Sequence, residues 1–200
     1  MPPFDSHSPE PPQSPELPSW EIQLSRLSIL SRAFIYSSQG LLQQINWETE
    51  ELLRIYDEDE SYDVFQPYLI PRISGLPSSN RHWSIAMILE HLSLATFDYA
   101  RIIESLNKGV TPRGMFDPQQ YWPTKSIGTE VREQFLEAQN YYVSQIESVL
   151  KSSGRLNAQH RFSHVWFGPL KSQQWHALVG QRLVIHRRQA QKIIALMGVA

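Results

Sequence analysis

Two hundred residues with 41% hydrophobic content suffice for one domain with a proper core. A formal charge of −2 argues against a nucleic-acid or anionic-membrane surface as the main partner, and no apolar run reaches the roughly 18 residues that span a bilayer. Zero cysteines remove disulfide scaffolds, thiolate zinc sites and cysteine nucleophiles together.

The segment Met1–Pro12 has neither a basic n-region nor an apolar core, so no secretory signal is expected and the chain reads as cytoplasmic. Residues 1–18 hold seven of the 14 prolines, with Ser, Glu and Gln between them. Such a stretch has too little apolar surface to offset the entropy of ordering, and it reads as a disordered tail. A proline-motif ligand is the alternative. Residues 19–200 form the expected domain, with Ser19 placed to cap its first helix.

Four long helical patterns follow. The first carries Leu24, Leu27, Ser31, Phe34, Ser38, Leu41 and Ile45, a heptad-like stripe expected to face the core. Trp47–Tyr56 is its continuation or a separate helix, and the acidic run Asp57–Glu60 reads as a solvated helix end. Ser61–Asn80, with three prolines and Gly75, is expected to be a loop. The second helix spans about Trp83–Leu106, with Ile85, Ile88, Leu89, Leu92, Tyr99, Ile103 and Leu106 inward. After a second loop, Thr129 can cap a third helix whose core face is Val131, Phe135, Ala138, Tyr142, Ile146 and Val149. Gly154 and His160–Leu170 lead to a fourth, which Ser172 can cap. No segment alternates strictly enough to demand a sheet. The expected fold class is all-α, a four-helix bundle.

The last helix carries the functional signal. Stepping 100° per residue, Trp175, Leu178, Val179, Leu183, Ile185, Ala190, Ile193, Leu196 and Met197 gather on one arc, and Arg187, Arg188, Gln191 and Lys192 on the other. Arg182, His186 and Gln189 fall near the centre of the apolar arc. A buried polar group costs about 1–3 kcal/mol or more unless paired, so three of them imply something polar inside. On the second helix His91 lies at the edge of the apolar face, and Asp98 follows seven residues later on the same side. His186 and His91 are thus the two histidines able to face a bundle interior, where metal ligands converge. Each alone reads more simply as a core histidine bonded to a neighbour. His7, His82, His160, His164 and His176 read as structural or exposed.

Other sites are absent. No Glu stands three residues before any His, and His-Glu-x-x-His, Gly-x-Ser-x-Gly and a phosphate-binding glycine loop do not occur. The basic residues of the last helix lack interleaved aromatics, which gives nucleic-acid binding little support.

Two stretches resemble the DinB superfamily of four-helix-bundle metalloproteins. Arg81-His82-Trp83-Ser84-Ile85-Ala86-Met87-Ile88-Leu89-Glu90-His91-Leu92 is similar to that family's Trp-Ser-x-x-x-x-x-x-His-Leu opening of helix two. His164-Val165-Trp166-Phe167-Gly168-Pro169-Leu170, then Trp175, then His186-x-x-Gln189, resembles a branch of unknown function with a His-Pro-x-Phe-Gly-x-Leu loop. The resemblance implies a divalent metal such as Ni or Zn, held by one histidine from helix two and two from helix four. By position His91 and His186 match the first and the last. Arg182 stands where the pattern expects the middle histidine, and a guanidinium has no lone pair to give and repels a nearby cation.

Three readings stay open. The first is a metal-dependent enzyme resembling thiol transferases, thiol-adduct isomerases or hydrolases, with His91 and His186 as ligands and Arg182 binding an anionic substrate. The second is a metal-free or weakly metal-binding bundle. In it Arg182 is the buried cation, Asp98 its carboxylate partner, and Gln189, His91 and His186 complete the network or line a pocket for a small anion. The third is a partner-binding bundle, a homodimer included.

Overall fold

The computed structural model describes residues 17–58, 62–124, 127–156 and 159–198. Five helices alternate with short hairpins: α1 (Ser19–Ile35), α2 (Ser38–Tyr56), β1 (Tyr68–Leu69), β2 (His82–Trp83), α3 (Ile85–Asn107), α4 (Val131–Ser153), β3 (Phe162–His164), β4 (Gly168–Leu170) and α5 (Ser172–Met197). The described residues are mainly helical, as the periodicities require. Among them no helix is long and apolar enough to cross a membrane.

Helices α3 and α4 follow their predicted faces closely. Ile85, Ile88, Leu89, Leu92, Tyr99, Ile103 and Leu106 are all buried on α3, as are Val131, Phe135, Ala138, Tyr142 and Ile146 on α4. The start of α3 is set by Ser84, whose hydroxyl accepts from the Met87 amide at 3.1 Å and satisfies a donor the helix cannot use. Trp83 therefore belongs to β2, not to the helix. Helix α4 ends at Gly154, whose φ of 72° is open to glycine at little cost. Helix α5 runs through the centre and packs against α1, α2 and α3, which is why its arc is so broadly apolar.

The amino-terminal part differs from expectation. The first stripe is not one helix. The chain extends at Tyr36 and Ser37, and Ser37 caps α2 by accepting from the Gly40 amide at 3.0 Å. This break resets the helical phase. Ser38, Leu41 and Ile45 remain in the core, and Trp47–Tyr56 continues α2. In contrast Leu24, Leu27 and Phe34 face out, Phe34 being 91% exposed. The buried side of α1 is Ile29 with Glu21, whose carboxylate pairs with Arg72 and accepts from the Gly75 amide at 3.1 Å.

Smaller corrections follow the same logic. Pro18, Glu130 and Lys171 occupy the capping positions expected for Ser19, Thr129 and Ser172. Of the expected tail only Leu17 and Pro18 are described, and Leu17 is buried, so the domain begins before residue 19. Asp57 is no idle helix end, because its carboxylate pairs with Arg132 of α4 at 2.7 Å; residues 59–61 lie outside the described residues. The expected loop 61–80 holds β1 and a 3-10 turn, Ser78–Arg81.

Gly180 sits inside α5, where an added methyl would lie 3.4 Å from Arg32 Nη2 and 3.6 Å from Ile45 Cγ1. Both are ordinary contacts, and a mid-helix glycine costs about 0.5–1 kcal/mol relative to alanine. Gly180→Ala is therefore expected to stabilise the protein by that amount, read as a rise of several degrees in Tm. A drop would show that Arg32 cannot move aside.

Candidate functional site

Arg182 and His186 lie one turn apart on α5, and His91 lies on the facing turn of α3. All three are buried, with Gln189 beneath them. The His91 and His186 ring centroids are 5.1 Å apart. Trp83 forms the floor, parallel to the His186 ring at 6.0 Å and 5.1 Å from that of His91.

The hydrogen bonds fix the protons. His91 Nδ1 donates to the Tyr121 carbonyl at 2.7 Å, which leaves Nε2 as a lone pair. Arg182 Nη2 donates to that lone pair at 2.7 Å. His186 Nδ1 donates to Gln189 Oε1 at 2.9 Å, and Gln189 Nε2 donates to the Asn80 carbonyl at 2.6 Å. The chain therefore holds both rings neutral, with the His91 lone pair accepting from the guanidinium. Burial pushes the His91 pKa down to about 3, with Arg182 adding to the effect. His186 is driven well below its ordinary range by burial first, then by His91 and Arg182.

The structure thus brings four of the five candidate residues together: His91, Arg182, His186 and Gln189. Asp98 is elsewhere. Its carboxylate accepts from the Tyr121 hydroxyl and lies 3.5 Å from Arg101. Seven residues on from His91 is the same helix face but about 10 Å further along the axis. Among the described residues no carboxylate lies within ion-pair distance of Arg182.

His164 and His176 are not peripheral. His176 is buried on α5, where Nδ1 accepts from Tyr142 Oη at 2.6 Å and Nε2 donates to the Ser38 carbonyl at 2.9 Å, joining three helices. His164 ends β3, and its Nδ1 accepts from the Trp166 amide at 3.0 Å. Burial and Arg182 hold the His164 pKa down to about 3, and burial takes that of His176 to about 4. A small cavity of about 20 Å³ opens beside His91 and Arg182, walled by Trp83, Trp122, Trp166 and Asn80. A wider depression of about 760 Å³ lies elsewhere, between the α1–α2 turn and the end of α4, and none of the candidate residues lines it.

A metal does not fit these residues as they stand. His91 Nε2 is taken up by Arg182, and that guanidinium would face the incoming cation. Among the described residues no group of three or more His, Asp or Glu is placed to hold a metal ion. What the arrangement can do is hold a fixed positive charge beside a small, largely aromatic cavity. Comparison with family models, with curated proteins and with solved structures finds no match to this chain.

Proposed function

We propose that this protein is a metal-free DinB-like four-helix bundle whose site binds a small molecule, with Arg182 standing where relatives would hold a divalent cation. One observation carries the reading: Arg182 Nη2 donates at 2.7 Å to the His91 nitrogen that would have to coordinate a metal. Purified without chelators and dialysed, the protein is expected to carry well under one equivalent of Ni or Zn by elemental analysis. One tightly held equivalent would overturn the reading and favour a metal-dependent enzyme.

The exposed side of α1 supports a second reading, a homodimer. Trp20, Leu24, Leu27, Ser31 and Phe34 repeat at intervals of four and three along the outer face, which also carries Gln23, Ser28 and Ile35 and no charged residue. That spacing is the seam of paired helices, and an uncharged seam meets its own copy without repulsion. Leu27→Asp and Phe34→Asp change exposed positions, so the fold should survive while self-association by sedimentation falls by tenfold or more. A monomeric wild type at high concentration would sink the dimer.

A further inference from the structure

We propose that the cavity beside Arg182 binds one small monovalent anion, a halide or the carboxylate head of a larger molecule. The proposal rests on the reading of Arg182 as the resident cation. Its first support is charge. Arg182 is 6% exposed, and its hydrogen-bond partner is a neutral imidazole. A guanidinium stays protonated, and a buried charge without a counter-charge is costly. His91 and His186 supply no negative charge, and Asp98 is committed to Tyr121 and Arg101.

The second support is independent of charge. Trp83 and Trp122 both wall the cavity, and the indole N–H of each is buried without an acceptor among the described residues. Trp83 is 0% exposed. His164 accepts at Nδ1, so its proton sits on Nε2; among the described residues that N–H and the Tyr99 hydroxyl also lack a partner, but neither residue lines this cavity. Buried donors left unpaired are rare in folded proteins. Two of them, on Trp83 and Trp122, belong to residues that line the same cavity as Arg182. An anion accepts several hydrogen bonds and donates none, so one ion answers both the donors and the charge.

The third support is size. About 20 Å³ is room for roughly one water-sized body. A halide or a single carboxylate oxygen fits, whereas a phosphate ester does not. Trp166, Gln119, Pro77 and Pro118 also line the cavity and would meet the remaining atoms of a carboxylate ligand.

The test uses the full chain and titrates chloride, bromide, formate and acetate at constant ionic strength, balanced with methanesulfonate, while tryptophan emission and Tm are followed. Saturable changes are expected with at least one of these anions. Response to halides alone identifies a free-ion site, and a tighter response to carboxylates identifies a head-group site. Arg182→Gln should weaken the response tenfold or more, and Trp122→Phe, which keeps the ring and loses the N–H, several-fold. A bromide-soaked crystal should show an anomalous peak within hydrogen-bond distance of Arg182. No saturable response, or an unchanged response in both variants, overturns the proposal. Metal content separates the two failures: a metal-free protein without an anion response sinks this inference alone, while a bound metal sinks the reading beneath it.

Discussion

Acidification is expected to destabilise this protein from about pH 6.5 downward, beginning above the pH at which carboxylates protonate. Four histidines, His91, His164, His176 and His186, are buried as neutral rings, with pKa values pushed down to about 3, about 3, about 4 and well below the ordinary range, burial being the first cause each time. In the unfolded chain each imidazole takes up a proton near pH 6.5. Below that pH the unfolded state binds protons that the folded state refuses. The stabilisation is therefore complete above about pH 6.5 and is lost as pH falls toward the folded pKa values. Each ring contributes about 1.4 kcal/mol per pH unit, so four give a slope of about 5 kcal/mol per unit.

Ordinary domains hold about 5–15 kcal/mol in total, so the folded state should fail between about pH 5.5 and about pH 3.5. The geometry explains the refusal of protons. A second proton on His91 would sit against Arg182, and one on His176 would place a charge where burial keeps water from it. Unfolding followed by circular dichroism at stepped pH, with proton uptake by potentiometry, checks the slope. A fold intact at pH 3.5 would show that these rings accept protons in place.

Most of what positions the site was legible before the fold. Helices α3, α4 and α5 each bury a continuous face, and a period of 3.6 reports such a face directly. Arg182, His186 and Gln189 stood out for the same reason: polar groups on an apolar arc. Helix α1 misled because its exposed seam has the same period as a core stripe. Periodicity marks an apolar face and does not say which way it turns. The break at Tyr36 and Ser37 carries neither Gly nor Pro, and its one local signal is Ser37, a capping residue inside an otherwise continuous stripe. Asp98 failed through translation: its angle matched His91 while its height did not. His164 and His176 were undervalued because their burial depends on the β3–β4 hairpin and on the packing of α2 and α4 against α5, which are non-local. Asn80 contributes a backbone carbonyl, and a carbonyl has no sequence signature.

The sharpest expectation concerns Arg182→His. Position 182 is one turn before His186 on the same face of α5, and the native guanidinium already reaches His91 Nε2. A shorter imidazole at that position would face the same space while removing the positive charge that repels a cation. Three neutral imidazoles would then surround one point, a donor set suited to Ni or Zn. The variant is expected to retain about one equivalent of metal through dialysis, where the wild type retains almost none. Stabilisation by the metal should grow as RT ln(1 + [L]/Kd), about 2.7 kcal/mol at 100 Kd and about 4.1 kcal/mol at 1,000 Kd. Arg182→Gln is the control: it deletes the charge, adds no imidazole, and should stay metal-free. If Arg182→His also stays metal-free while folding normally, the three positions do not converge on a common point, and Arg182 is not the successor to a metal. If Arg182→Gln binds as tightly as Arg182→His, two histidines suffice and charge alone had kept the metal out. The His91–His186 separation of 5.1 Å between ring centroids favours the three-imidazole outcome, since two rings that close need one further donor from the same face to enclose an ion.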